Sequence, residues 1–78
     1  MVIHASKVDY RNAFEGLVFP ASKDQVVLRS RMHGGIDREV FAVLESIPGR
    51  SYHSMEELEA AIRGVYVARG EPAGALPV

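Results

Sequence analysis

The side chains best suited to bind a transition metal are the three histidines, and the sequence keeps them apart, at His4, His33 and His53. Two ligands on one helical face need a spacing of three or four residues, and no pair of these histidines has it. The chain has no cysteine, which excludes disulfides and thiolate ligands. We therefore expect no metal site. His33 is expected to interact with a helix end, and His53 to pack beside a helix start.

Nucleophilic and nucleotide chemistry are not predicted either. Ser6, Ser22 and Ser54 are needed as helix caps, and no Ser-His-Asp arrangement can be placed from the sequence. The glutamates between residues 56 and 59 stand where acidic side chains stabilise the first turn of a helix. Gly34–Gly35 lacks the further glycines and the lysine of a phosphate-binding loop. We expect a protein that is not an enzyme and has no cofactor.

The distribution of arginine is a clearer indication of a ligand, since seven arginines accompany only two lysines, and arginine binds carboxylates and phosphates in bidentate fashion. Four basic side chains cluster near a glycine turn between two predicted helices: Arg29, Arg31, His33 and Arg38. The helix after the turn carries two glutamates, and the net charge is −1, both of which oppose binding to a phosphate backbone. Nucleic-acid binding through Arg29, Arg31 and Arg38 is therefore the alternative function.

The second predicted helix is apolar on two sides. One side is formed by Val26, Val27 and Ser30. Leu28 and Met32, four residues apart, fall on the opposite side. Either Tyr10 and Phe14 of the first helix cover them, so that both join the core, or both are exposed as the anchor of a protein interface or homodimer. Core packing is favoured, but both alternatives stay open. The candidate interface residues are Leu28, Arg29, Arg31, Met32 and Arg38.

The elements that position these residues follow from a helix-start signal that occurs three times, at Ser6, Ser22 and Ser54. After Ser22 and Ser54, a glutamine or glutamate follows at the third position, which is the spacing of a reciprocal capping box. Together with apolar periodicity and glycine or proline stops, these signals predict four helices, over about residues 6–16, 22–33, 37–47 and 54–69. The predicted core positions outside the second helix are Tyr10, Ala13, Phe14, Leu17, Val40, Phe41, Leu44, Ile47, Leu58, Ala61, Ile62 and Val65.

Two extended aromatic segments, residues 17–21 and 50–53, each lead into a serine-capped helix. The units recur 32 residues apart and predict pseudo-symmetry within one domain, with the two segments able to lie side by side. Hydrophobic staples are expected from Ala21 to Val26 and from His53 to Leu58.

At 78 residues with 47% apolar and 24% charged residues, the chain is predicted to fold as one mainly helical bundle of about four short helices over residues 1–69. Residues 70–78 have the glycine and proline density of a disordered tail. No segment has the length of a membrane span or the pattern of a signal peptide, so we expect a cytoplasmic protein without a membrane partner.

The sequence resembles a bacterial family of small domains known as domain of unknown function 2795, over about residues 8–64. The resemblance rests on the segment from Phe14 to Val26, followed by Val40, Leu44, Ile47–Pro48, Tyr52, Ser54 and the segment from Leu58 to Ile62. Ser30 replaces the family's usual alanine, and Gly49 stands where an acidic residue is common. The resemblance supports the fold and transfers no catalytic residue. We expect a small protein-interaction or regulatory module whose partner is a second copy or another protein.

Overall fold

A computed structural model describes residues 5–72, 74 and 76–78; His4 lies outside them. The described residues form four helices and two short strands, which confirms the predicted mainly helical bundle. In chain order the elements are α1 (Lys7–Ala13), β1 (Ala21–Ser22), α2 (Lys23–His33), α3 (Arg38–Ser46), β2 (Ser51–Tyr52) and α4 (Met55–Ala68). No helix in this part of the chain is long and apolar enough to cross a membrane.

Two helices begin with a reciprocal capping box. Before α2, the Ser22 hydroxyl accepts from the Gln25 amide at 3.2 Å and the Gln25 side chain accepts from the Ser22 amide at 2.8 Å, as predicted. The same exchange occurs before α1 between Ser6 and Asp9, where aspartate takes the place of the usual glutamate or glutamine. α1 ends at Ala13, earlier than predicted, because Phe14 leaves the helix and turns into the core.

The capping box predicted at Ser54 is only half formed. The Ser54 hydroxyl accepts from the Glu57 amide at 3.2 Å, so the serine does cap α4. The Glu57 carboxylate, however, pairs with Arg50 at 3.3 Å, and this contact directs it toward the preceding turn. His53 is exposed, so the predicted staple onto Leu58 is wrong.

The two extended segments do pair. β1 and β2 are antiparallel, with Ala21 opposite Tyr52 and Ser22 opposite Ser51. The buried Tyr52 hydroxyl donates to the Pro48 carbonyl at 2.6 Å, and this bond fixes the turn between α3 and β2. The strands therefore hold the starts of α2 and α4 side by side, which agrees with the predicted pairing of the repeated units.

The core lies between the inward sides of the helices and the strand pair. Its buried apolar residues are Ala5, Tyr10, Ala13, Phe14, Ala21, Val26, Val40, Val43, Leu44, Ile47, Tyr52, Leu58, Ile62, Tyr66 and Leu76. Most of the predicted core positions are among them, whereas Leu17, Phe41, Ala61 and Val65 are only partly buried. Val43 and Tyr66 belong to the core although the sequence pattern does not select them.

The C-terminal residues that the structure describes are close to the core. Leu76 is 7% exposed, and Val78 packs against the same cluster. Disorder of residues 70–78 as a whole stays a prediction. This packing shows that an apolar side chain after a Gly-Pro segment can still return to the core.

Candidate protein-binding surface

The two sides of α2 have different environments. Val26 and Ser30 are fully buried, and the Ser30 hydroxyl donates to the Val27 carbonyl within the helix at 2.8 Å, so it needs no partner in the core. Leu28 lies about 200° around the helix from Val26 and therefore points away from the core. The sequence predicts this division, and burial confirms it.

The outer face of α2, defined by Gln25, Leu28 and Met32, is exposed. Leu28 is 58% exposed and Met32 is 69% exposed, with Val18 beside them at 78%. Between the loop after α1 and this face lies a shallow groove of about 240 Å³ lined by Gly16, Leu17, Val18, Gln25, Leu28, Arg29 and Met32. The favoured sequence interpretation, in which α1 covers Leu28 and Met32, is wrong.

The reason lies in the path of α1. The centroid of the Tyr10 ring lies 6.0 Å from that of Phe14 and 6.4 Å from that of Tyr66 in α4. Tyr10 and Phe14 therefore point into the bundle. α1 does contact α2, but its Tyr10 is buried in the bundle rather than laid over Leu28 and Met32, which stay exposed. The second alternative, exposure of Leu28 and Met32, is what the structure shows.

On one side of Leu28 lies a rim of mixed charge. Arg31 pairs with Glu45 at 2.9 Å, with 60% and 57% of the two side chains exposed. The Lys23 ammonium donates to the Glu45 carbonyl at 2.6 Å. Another groove on this side is lined by Lys23, Asp24, Val27, Leu28, Arg31 and Glu45. Two cations and two anions therefore border this side of the outer face.

On the other side of Leu28, Arg29 is held by the loop after α1. Its guanidinium donates to the Gly16 carbonyl at 2.7 Å. Gly16 has a φ of +77°, and a Cβ there would lie 2.9 Å from the guanidinium, so glycine suits both the turn and this contact. His33 ends α2 as expected, with its ring bonded to the Gly34 carbonyl at 2.9 Å and 3.7 Å from Glu15.

The structure does not combine the three candidate arginines into one basic patch. Arg29 and Arg31 lie on opposite sides of Leu28, in different grooves. Arg31 is paired with a carboxylate, and Arg38 is exposed at the start of α3. Of the candidate residues, Leu28 and Met32 are the pair brought together on one surface.

A buried polar chain joins α1, α3 and α4, and the sequence analysis missed it. The Tyr66 hydroxyl donates to the Glu39 carboxylate at 2.8 Å, and the Tyr10 hydroxyl lies 2.6 Å from that of Tyr66. The Ala5 amide donates to the same Glu39 oxygen at 3.3 Å. Burial is the main reason that the pKa of Tyr10 and of Tyr66 lies above the ordinary tyrosine value, so both stay protonated.

The burial of these hydrogen-bonded side chains decides whether they can serve a reaction. Tyr66 is fully buried and Glu39 is only 8% exposed, so a substrate has no route to their polar atoms. In the described part of the chain, no buried side-chain nitrogen or oxygen lacks a hydrogen-bond partner. These hydrogen bonds therefore stabilise the packing of α1, α3 and α4 against one another. Its sequence signal is weak, because one glutamate within an amphipathic helix is usually solvated.

The described residues contain no group of three or more histidine, aspartate or glutamate side chains arranged to hold a metal. His33 ends α2, whereas His53 lies between β2 and α4, and the predictions that no metal and no cofactor are bound stay predictions.

A second groove, between the end of α3 and α4, is also missed by the sequence analysis. It has a volume of about 450 Å³ and is lined by Ser46, Pro48, Ala61, Gly64, Val65, Ala68 and Arg69. Small residues at 61, 64 and 68 are its sequence signal, since they share one helical side and leave space. It contains no large exposed apolar side chain, which distinguishes it from the outer face of α2.

No curated protein and no solved structure matches the chain. The family model described as "Protein of unknown function (DUF2795)" matches residues 5–59, more than half of the 78 residues, and this range includes α1, α2, α3, both strands and the start of α4. The resemblance found in the sequence is confirmed: the chain belongs to this family.

Proposed function

We propose that this domain is a non-enzymatic protein-binding module that uses the outer face of α2. The observation that carries the proposal is the exposure of Leu28 and Met32 on adjacent turns, with Val18 beside them. Large apolar side chains that are contiguous on a small domain are a feature of interaction sites, whereas isolated ones are common and need no explanation.

The energetics support binding at this face. Removing one such side chain from water contributes about 1.5–3 kcal/mol when burial is complete. Leu28 and Met32 contribute little of this free energy to folding, since more than half of each side chain remains in water. A partner that covers both side chains gains this free energy on binding. Met32 also suits a binding surface because methionine is flexible and adapts to different contours.

The polar groups around this face are of the kind found at the edge of an interface. Arg29, Arg31, Asp24 and Gln25 border the apolar residues and can stay partly solvated in a complex. The polar groups that a catalytic role needs are elsewhere and serve the fold: Ser6, Ser22 and Ser54 cap helices, and Glu39 lies in the core. This division supports binding rather than catalysis.

Nucleic-acid binding through Arg29, Arg31 and Arg38 is supported less well. Arg29 and Arg31 point to different sides of α2, and Glu45 partly neutralises Arg31. A salt titration against mixed-sequence DNA separates the two functions, because phosphate contacts make affinity fall steeply with salt. We expect no DNA affinity that depends on salt in this way; such an affinity, lost in an Arg29→Ala/Arg31→Ala/Arg38→Ala variant, supports the alternative.

The test of the protein-binding function compares two double variants in capture from cells that produce the protein. Leu28→Ser/Met32→Ser removes the two apolar side chains of the outer face, and Val8→Ser/Val67→Ser removes two exposed apolar side chains elsewhere. We expect the tagged native chain and the control to retain the same proteins and the first variant to lose them. Equal capture by all three, with circular dichroism showing each folded, contradicts the proposal.

A further inference from the structure

The outer face of α2 has a two-sided charge pattern. At about 100° per residue, Asp24 and Arg31 fall on one side of Leu28 and Gln25 and Met32 on the other, each within about 60°. The two grooves agree with this, since Asp24 and Arg31 line one and Gln25 and Met32 line the other. Leu28, which lines both, is the centre of the surface.

The charges on the first side are ordered along the helix. Asp24 is one turn before Leu28, and Arg31 is nearly one turn after it. Among the residues that the structure describes, Asp24 has no ion-pair partner, whereas Arg31 has an exposed one in Glu45. Of these two side chains, the negative one therefore lies toward the start of α2 and the positive one toward its end.

We propose that the partner of this face is a second copy of the chain, whose α2 packs antiparallel with a two-fold axis near Leu28; this rests on the proposed function. A two-fold axis there brings residues before Leu28 in one copy opposite residues after it in the other. Asp24 of each copy then meets Arg31 of the other, Gln25 meets Met32, and the two Leu28 side chains meet at the centre.

Charge complementarity favours a second copy over a strongly charged partner. The rim formed by Lys23, Asp24, Arg31 and Glu45 has two charges of each sign. A uniformly acidic partner meets Asp24 and Glu45, and a uniformly basic one meets Lys23 and Arg31, so each places like charges together. The antiparallel copy places opposite charges together twice.

The size of the face sets the strength of this association. A stable dimer buries roughly 800 Å² on each partner. The exposed apolar part here consists of three side chains, Val18, Leu28 and Met32, so we expect a weak dimer with a Kd of roughly 10⁻⁵ to 10⁻³ M. Self-association should therefore depend on concentration.

The first arm of the test reverses charges. Asp24→Arg and Arg31→Asp each put like charges together twice in their own homodimers, which should weaken self-association about tenfold or more. Mixing the two variants restores both opposite-charge contacts, so sedimentation equilibrium should detect a heterodimer at concentrations where each variant alone is monomeric. A mixture that associates no better than its components overturns the antiparallel arrangement.

The second arm uses the absence of cysteine from the native chain. Facing helices with axes about 9–10 Å apart bring opposed Cα atoms to about 4.4–5.4 Å, which a disulfide can bridge. Leu28→Cys should therefore form a disulfide dimer under mild oxidation, much faster than Val67→Cys, an exposed control on α4. Equal rates for the two variants overturn the inference.

The two proposals fail in different ways. If the native chain stays monomeric up to about 1 mM, the homodimer is excluded, while capture of another protein that requires Leu28 and Met32 still supports the binding function. If Leu28→Ser/Met32→Ser changes neither sedimentation nor capture, both proposals fail.

Discussion

α2 and α4 begin alike and end up with opposite relations to the core. Each follows a short strand and is capped by a serine hydroxyl, Ser22 in one and Ser54 in the other. α4 buries its large apolar side chains at 58, 62 and 66 completely. α2 buries Val26 and Ser30, and it leaves two larger side chains, Leu28 and Met32, in water.

The position of apolar residues around the helix, rather than their number, decides which of them the core buries. In α4 the spacing of four residues keeps Leu58, Ile62 and Tyr66 on one side. In α2 the same spacing separates a buried pair, Val26 and Ser30, from an exposed pair that is offset by two residues. An apolar stripe that the core does not use is then available to a partner.

The largest effect is expected inside α4. Ile62→Ala opens a cavity beneath a fully buried side chain and should cost about 2–5 kcal/mol in the free energy of unfolding. Val67→Ala, in the same helix but exposed, should change it by about 0.5 kcal/mol or less. Urea denaturation followed by circular dichroism measures both, and similar losses for the two contradict the assignment of α4's buried side.

The next effect is that of the buried hydroxyl on α4. Tyr66→Phe removes the donor to Glu39 and the acceptor for Tyr10, so it should cost about 1–3 kcal/mol. Tyr10→Phe should cost less, because the bond from Tyr66 to Glu39 remains. The same denaturation experiment ranks the two variants, and a neutral Tyr66→Phe is inconsistent with a structural role for this chain of hydrogen bonds.

The caps that α2 and α4 share should give a smaller loss. Ser22→Ala and Ser54→Ala each remove an acceptor for a first-turn amide and should cost about 0.5–2 kcal/mol. Ser51→Ala, an exposed serine on β2, is the matched control. Thermal unfolding measures the melting temperatures of the three variants. If both cap variants melt at the same temperature as the control, the two serines do not act as stabilising helix caps.

The smallest effect on stability is expected on the outer face of α2. Leu28→Ser/Met32→Ser should cost about 1 kcal/mol or less, mainly from the lower helix propensity of serine. Val26→Ser, on the opposite side of the same helix, should destabilise the domain by several times as much because Val26 is fully buried. Thermal melts of the two variants decide the matter, and an unfolded outer-face variant shows that Leu28 and Met32 serve the core.

Local signals in the sequence predicted a large part of the fold. The serine caps, the Gly34–Gly35 stop and the pairing of the two extended segments were found because each depends on neighbouring residues. Which side of α2 is exposed depends instead on how α1 packs, and the residues of α2 alone do not predict this. The same holds for Glu39, whose burial results from the meeting of three helices.

The candidate site was only partly predictable for the same reason. The sequence identified Leu28 and Met32 as an apolar pair opposite Val26, but their exposure depends on what covers α2. The separation of Arg29 from Arg31 follows from helix geometry alone, since residues two apart on a helix point to opposite sides. The groove beside Gly64 is formed by small residues, which leave little signal in a hydrophobic pattern.

The most direct test of the outer face of α2 as the surface of association is a concentration series of amide NMR spectra of the native chain, from about 10 μM to about 1 mM, which spans the expected Kd. We expect gradual shifts concentrated at Asp24, Gln25, Leu28, Arg31 and Met32, and their loss in Leu28→Ser/Met32→Ser. Shifts confined to the groove between α3 and α4, or spectra unchanged over the whole range, contradict it.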